Sequence, residues 1–325
     1  MVDRMSAAPV GTVSVMNALS KALGIAVSLA LTAAVPVISH AQTAATKQQQ
    51  AVLVTGAGTG IGRKITEKLA ADGYFVYAGA RKDEDLKALD AIKNVQAVRL
   101  DVTKPQDIAA TLETIKHGGR GLYGLVNNAG IGSEATVAEM KPEEFDLMMA
   151  VNMTAPYRLT QTFEPLIVEA QGRITNIGSI SGILASPTLS AYVMSKHAIE
   201  AFTDSLAQEL APLGGTANVV EPGNYNTDIV KHEIERGVAP PGTSPDLSNY
   251  KPPDEVADAV EKALFEPNPK RRYLVVPNQH GAEVTIKKQI EQLVQLNEGQ
   301  PFTYDRAALI KMLDEALSTA RPRTK

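Results

Sequence analysis

The chain has 325 residues, 44% of them hydrophobic and 21% charged, with a formal net charge of −4. That is apolar content for one large core or two small ones, and mild acidity without a long basic run excludes the electrostatic footprint of a nucleic-acid binder. There is no cysteine, and the five histidines are scattered, which excludes disulfides and thiolate chemistry and leaves no metal-spaced cluster.

Residues 22–38, ALGIAVSLALTAAVPVI, carry no charge; Lys21 precedes them and Ser39-His40-Ala41 follows with small residues at its outer positions. A basic flank, an apolar core and a cleavage-like tripeptide are the layout of a secretory signal peptide, and the run is short for a membrane span. Residues 1–41 are therefore expected to direct export, to a periplasm or beyond. If the segment is instead an extension from a misplaced start, the protein stays in the cytoplasm. Residues 42–50 read as a polar linker, 51–280 as the main domain and 281–325 as a helical C-terminal extension.

From Ala51 the pattern alternates between strand and helix. Val52-Leu53-Val54 predicts a buried strand ending in Thr55-Gly56, with a helix through Ala71. Tyr74–Ala78, Val98–Leu100 and Leu122–Val126 predict the next three strands, and Pro105 opens a helix before the last of them. Pro142-Glu143-Glu144 opens a long helix through about Phe163. Arg173–Ile177 predicts a fifth strand, Ala191–Leu210 a helix, and Asn218–Val220 a sixth strand stopped by Pro222-Gly223. Asp254 reads as the cap of a helix with Val256, Val260 and Leu264 on one face, and Arg272–Val276 as the last strand. Continuous apolar strands separated by helices predict an α/β fold, a doubly wound parallel sheet with helices on both faces.

Two segments stand outside this repeat: 224–253, rich in Pro, Gly and Asn, and 283–317. The latter has two amphipathic runs, Ile286, Ile290, Leu293 and Val294, then Leu309, Leu313 and Leu317, and reads as a packing arm.

Ligands of doubly wound sheets lie past the carboxyl ends of the strands. Thr55-Gly56-Ala57-Gly58-Thr59-Gly60-Ile61-Gly62 follows the first strand and opens the first helix. Glycines there let the backbone turn tightly and approach a pyrophosphate, and the helix N-terminus supplies N–H groups. The second strand ends in Ala78-Gly79-Ala80-Arg81-Lys82. With no carboxylate at the tip for a 2′-hydroxyl, and Arg81 placed to pair with a 2′-phosphate, NADP(H) is favoured over NAD(H).

Tyr192 and Lys196 stand at i and i+4 on one helix face. A phenol is a poor base near neutrality, and a neighbouring ammonium favours the phenolate. With Ser179 to hydrogen-bond an oxygen in front of the tyrosine, the group is a proton-transfer device for an alcohol or carbonyl. Leu184 and Tyr225 are candidates for an apolar substrate pocket.

These residues together resemble the classical short-chain dehydrogenase/reductase family over about Val52 to Val276. The TGxxxGxG pattern is matched by Thr55 to Gly62, the adenine-pocket aspartate by Asp101 followed by Val102, and NNAG by Asn127-Asn128-Ala129-Gly130. The tetrad asparagine matches Asn152, the catalytic serine Ser179, and YxxxK Tyr192 and Lys196. The PG motif matches Pro222-Gly223, with Thr227 at the usual threonine. Gly178 departs from the pattern, where many members carry a second serine.

The resemblance implies reversible hydride transfer between an alcohol and a ketone or aldehyde. In it Tyr192 is the acid/base, Lys196 lowers its pKa and holds the nicotinamide ribose, Ser179 holds the substrate oxygen, and Asn152 positions a water that relays protons. Thr55, Gly56, Gly58, Thr59, Gly60, Ile61, Arg81, Asp101, Val102, Asn128, Ala129, Gly130, Pro222, Gly223 and Thr227 would complete the cofactor site. The substrate is expected to be lipophilic, steroid-, retinoid- or acyl-like. No metal and no nucleic acid are implied, and the helices at 142–163 and 191–210 would pair into a homodimer or homotetramer. Two alternatives remain at this point: a nicotinamide-binding redox sensor without turnover, and a nucleotide-sugar epimerase or dehydratase.

Overall fold

The computed structural model describes residues 49–240, 242–244 and 246–319. The signal-like segment and nearly all of the linker lie outside the described residues.

Seven parallel strands form one sheet in the order β3-β2-β1-β4-β5-β6-β7. They are β1 (Ala51–Val54), β2 (Phe75–Ala80), β3 (Val95–Arg99), β4 (Gly124–Asn127), β5 (Arg173–Ile177), β6 (Thr216–Pro222) and β7 (Arg272–Val275). The chain runs outward from β1 to β3, then returns to the other side of β1 as β4. That reversal is the topological switch point of a doubly wound fold, where a crevice opens beyond the carboxyl ends of β1 and β4.

The helices cover both faces. On one lie α1 (Gly60–Ala71), α2 (Asp83–Asp90) and α8 (Asp254–Phe265); on the other lie α3 (Pro105–Gly118), α5 (Ala155–Glu169) and α6 (Ser190–Leu210). The central strand shows why the pattern reads as continuously apolar. Val52 and Val54 feed the core under α1 and α8, while Ala51 and Leu53 feed the core under α5 and α6. Alternate residues point to opposite faces, and each fully buried aliphatic or aromatic side chain contributes about 1.5–3 kcal/mol. Phe163, Leu159 and Ile167 of α5 present an i, i+4, i+8 stripe to the second core and are fully covered.

Three differences from the sequence reading have physical causes. The helix from Pro142 is not continuous: α4 (Pro142–Met149) passes into a π-helical turn, Ala150–Thr154, before α5. Ala155 N–H bonds back to Ala150 O, five residues away, and Pro156 has no N–H to offer the carbonyl of Asn152 four residues earlier. Second, α2 and a short α7 (Ile229–Glu235) stand where the sequence reading assigned no element. α2 opens on Asp83, Glu84 and Asp85, which suit a helix N-terminus. Third, Asp254 is the first residue of α8, and Pro253 holds the cap position.

Beyond β7 the two amphipathic runs are helical, as α9 (Gln279–Asn297) and α10 (Arg306–Thr319). Asn278 caps α9 by accepting from Gly281 N at 2.9 Å. Both helices expose apolar side chains, among them Ile286, Ile290, Leu313 and Leu317.

Candidate active site

The carboxyl edges of β1 and β4 are stitched together by Thr55. Its hydroxyl donates to Val126 O at 3.2 Å and accepts from Asn128 N and Ala129 N at 3.0 Å each. Asn128 Nδ2 returns the connection, donating to Thr55 O at 2.8 Å and Gly56 O at 3.2 Å. Thr55 is fully buried, so its side chain shapes the Gly-rich turn from beneath. Gly56 takes φ 65°, and a Cβ there would stand 2.9 Å from Ala129 Cα, so the turn closes only without a side chain. Gly62, in the first turn of α1, leaves no room for a Cβ beside the Gly56 carbonyl and the Asn128 amide. The result is a bare backbone cradle at a helix N-terminus, shaped for a pyrophosphate.

The far end of the cleft is charged. Arg81 is exposed just past β2, and its carbonyl accepts from Arg99 Nη1 at 2.7 Å. Arg99 also pairs with Asp83, drawing that carboxylate to itself. Asp101 accepts from Thr103 N at 3.0 Å and Thr103 Oγ1 at 2.7 Å. Burial works to raise its pKa, but these hydrogen bonds and the charges of Arg81 and Lys104 outweigh burial and hold it below the usual carboxylate range. Val102 beside it is buried. Asp85, which sequence reasoning passed over, packs its carboxylate against Gly58.

Over the cradle leans the segment after β6. Thr227 lies opposite Gly60, where a Cβ would be 3.4 Å from its own. Gly223 N bonds to Val275 O at 2.8 Å, fixing the Pro222-Gly223 turn against β7. Arg236, just past α7, donates to Gly132 O and pairs with Glu144 at 3.2 Å. Lys82 and Glu235 approach to 3.8 Å across the cleft rim.

The four tetrad residues come together. Ser179 leaves β5 at 9% exposure and caps a short 3₁₀ turn, its hydroxyl accepting from Ser181 N at 3.0 Å. That hydroxyl lies near enough to the Tyr192 phenol to favour its ionised form. Lys196, one turn on along α6, is 6% exposed, with Nζ donating to Ile177 O at 2.9 Å and lying 5.6 Å from the Tyr192 ring centroid. A Cβ on Gly130 would stand 3.8 Å from that ammonium, which sets it against the loop after β4.

Asn152 anchors the loop after β4 through its side chain. Its Oδ1 accepts from Ile131 N and its Nδ2 donates to Ile131 O, both at 2.9 Å, and to Ser195 Oγ at 3.1 Å. Ser195 in turn donates to Tyr192 O at 2.7 Å. The side chain is spent clamping the loop after β4 to the first turn of α6, so Asn152 is a positioning residue. Ser195 was missed in the sequence; its polarity on the buried side of α6 was the available signal.

Burial dominates ionisation in the site. It is the largest influence on Tyr192 and raises its pKa; the Ser179 hydroxyl works against this, and the charge of Glu233 adds to it. Burial pushes Lys196 down to about 8, against the opposing charge of Glu200. The phenol is therefore held in its protonated, donating form at neutral pH.

Of the candidate substrate residues, Leu184 is half-buried on the loop after Ser179. Tyr225 is not available to that pocket: it packs into the core beside Val256 and donates to Glu255 Oε2 at 2.7 Å. Glu233 of α7 stands nearer the site, 7% exposed against Gly132 and Ile229. The other surface hollow, lined by Gln171, Arg173, Gly214 and Thr216, is at the amino-terminal edge of the sheet and away from this chemistry.

Known proteins agree with this geometry. The family described as short chain dehydrogenase matches residues 50–236. The chain belongs to that family. Within it, the chain is 31% identical over 297 residues to the mitochondrial D-beta-hydroxybutyrate dehydrogenase of Mus musculus, covering 88% of this chain and 79% of that one. It is 36% identical over 198 residues to the 17-beta-hydroxysteroid dehydrogenase type 6 of Homo sapiens, covering 59% and 60%. A short-chain dehydrogenase from Sphingobium yanoikuyae, solved in complex with NADPH, superposes with a TM-score of 0.62 at 27% identity, covering 79% of this chain and 99% of that one. Members with these names are dehydrogenases, and this chain is accordingly an oxidoreductase acting on CH–OH groups.

Proposed function

We propose that the protein interconverts a neutral, lipophilic ketone or aldehyde and its alcohol using NADP(H), with Tyr192 exchanging the proton. The observation that carries this reading is the buried Lys196 ammonium 5.6 Å from the Tyr192 ring, with the Ser179 hydroxyl beside the phenol. When bound, the nicotinamide supplies or accepts the hydride. The chain's own residues do the rest: Ser179 holds the substrate oxygen, Tyr192 gives its hydroxyl proton to that oxygen, and Lys196 stabilises the phenolate left behind.

The Gly56–Gly62 cradle fits a pyrophosphate, and the exposed Arg81 fits a 2′-phosphate. Asp85, against Gly58, opposes that preference by charge. Accordingly Arg81→Ala raises the KM for NADPH by about 10–100-fold, the worth of one charged hydrogen bond, with little change for NADH, and Asp85→Asn lowers it. Steady-state kinetics with both cofactors measures this; an unchanged NADPH KM in Arg81→Ala refutes the assignment.

Glu233 supports the neutral substrate. A buried carboxylate close enough to act on Tyr192 repels a substrate that carries its own carboxylate. Hydroxybutyrate is such an anion, whereas a hydroxysteroid is not. Purified protein assayed with NADPH and NADH against ketosteroids, retinal, acyl ketones and acetoacetate tests the reading. Net NADPH consumption with neutral carbonyls is the expected result, and acetoacetate as the best substrate, or no turnover with any, overturns it.

A further inference from the structure

Behind Lys196, on the side away from the cleft, ionisable side chains gather that the reaction above does not use. Glu200 lies one turn beyond Lys196 on α6 at 8% exposure, and Glu221 faces it from β6 at 2%. Arg272 of β7 reaches in between, its Nε 3.1 Å from Glu200 Oε2 and 3.5 Å from Glu221 Oε1. The rest of that guanidinium is held by Asp204 at the surface, at 3.0 and 2.7 Å. The carboxyl groups of Glu200 and Glu221 thus share one guanidinium nitrogen and lie close enough to act on each other directly. Yet the Oε1 atom of each is sealed from solvent and receives no hydrogen bond.

Two ionised carboxylates cannot satisfy one another, because each is an acceptor only. Pressed together out of water, they also repel. One proton removes both difficulties: it gives one carboxyl a donor and the other a hydrogen bond. We propose that Glu200 and Glu221 hold a single proton between them, and that this pair sets the charge on Lys196. The second part rests on the proposed role of Lys196, whereas the first does not.

The surroundings are built for this pair. A Cβ on Gly178 would lie 2.9 Å from Glu200 Oε1 and 2.8 Å from Val219 Cγ2, and one on Gly182 3.0 Å from Glu200 Oε1. Gly178, the position at which this chain lacks the family's second serine, thus leaves the space that the Glu200 carboxyl fills. The groups facing Glu200 are Lys196 and Asp204 from its own helix, Glu221 from β6 and Arg272 from β7, while β5 and the 3₁₀ turn bring only backbone glycines. Burial first, and then the charge of Glu221, raises Glu200 to about 8, and Lys196 falls to about 8. The Glu200 charge opposes the lowering of Lys196 by burial, so a change in the pair is felt by the lysine.

The direction of the coupling can be worked out for two isosteric variants. In Glu200→Gln the pair's one negative charge is confined to Glu221, which does not act on Lys196 as Glu200 does, so Lys196 loses its proton at lower pH. In Glu221→Gln the charge that kept Glu200 protonated is gone, Arg272 ionises Glu200, and Lys196 keeps its proton to higher pH. The alkaline limb of the kcat/KM profile for carbonyl reduction should move in opposite directions, by about one pH unit each way. A merely structural role predicts losses of the same kind in both.

The decisive experiment pairs those profiles with infrared difference spectra of the full-length protein at neutral pH. The expected result is a protonated-carboxyl band that loses the intensity of one group in Glu200→Gln and in Glu221→Gln but keeps it in Asp204→Asn. Intensity unchanged in both Gln variants overturns the shared proton. Profiles that coincide with wild type, or that move in the same direction, overturn the link to Lys196. The infrared arm needs no substrate, so failure of the proposed reaction leaves it decisive.

Discussion

Tyr192→Phe abolishes useful turnover and leaves cofactor binding intact. Phenylalanine keeps the ring where α6 holds it, since that position is fixed through the backbone: Ser195 donates to Tyr192 O at 2.7 Å and is itself held by Asn152 at 3.1 Å. What disappears is the hydroxyl proton, and with it the group beside Ser179. A positioned acid contributes about 10²–10⁴-fold to a rate, so kcat for carbonyl reduction falls by that order. NADPH affinity, measured by fluorescence titration, stays within about twofold because the Gly56–Gly62 cradle and Arg81 are untouched. The asymmetry between kcat and cofactor binding is the diagnostic. Near-normal kcat in this variant removes Tyr192 from the chemistry.

Gly62→Ala destroys the cradle through a single added methyl. Its Cβ would overlap the Gly56 carbonyl oxygen and the Asn128 amide. Neither can yield cheaply. Gly56 is backbone at φ 65°, already 2.9 Å from Ala129 Cα for any side chain of its own. Asn128 is held by its bonds to Thr55 O and Gly56 O, at 2.8 and 3.2 Å. Overpacking of this kind costs about 1–3 kcal/mol. In a domain of this size each kcal/mol lowers Tm by about 2–4 °C. The larger effect falls on the cofactor, because relief requires the Gly-rich turn to swing away from α1, and its N–H groups with it. Calorimetry and titration of NADPH measure the two losses separately. Unchanged Tm together with unchanged affinity contradicts the packing described for this loop.

Much of the site was legible in the sequence because its parts are local. Tyr192 and Lys196 share a face by helical spacing alone, and the Gly-rich turn announces itself by its position after an apolar strand. Glu200 was equally legible as the i+4 neighbour of Lys196, but helical spacing says nothing about Glu221 or Arg272, which come from other strands. Tyr225 shows the reverse failure. It follows the Pro222-Gly223 turn at the mouth of the sheet, yet its ring is turned into the core by the apolar surface of α8 and its hydroxyl by Glu255. The π turn was missed: the sequence reading carried one helix from Pro142 to about Phe163, although Pro156, which has no N–H to give, was the available signal for a break.

The sequence by itself determined the doubly wound sheet and the order of its motifs, since apolar periodicity and short-range spacing depend only on neighbouring residues. Only the tertiary structure decided how those residues are used. It made Asn152 a clamp between Ile131 and Ser195, turned Thr55 inward to stitch β1 to β4, and set the Tyr192 ring 5.6 Å from the Lys196 ammonium. It also brought Glu200, Glu221 and Arg272 from a helix and two strands into one buried cluster. Burial and through-space charge are set by residues distant in the chain, so no local pattern encodes them.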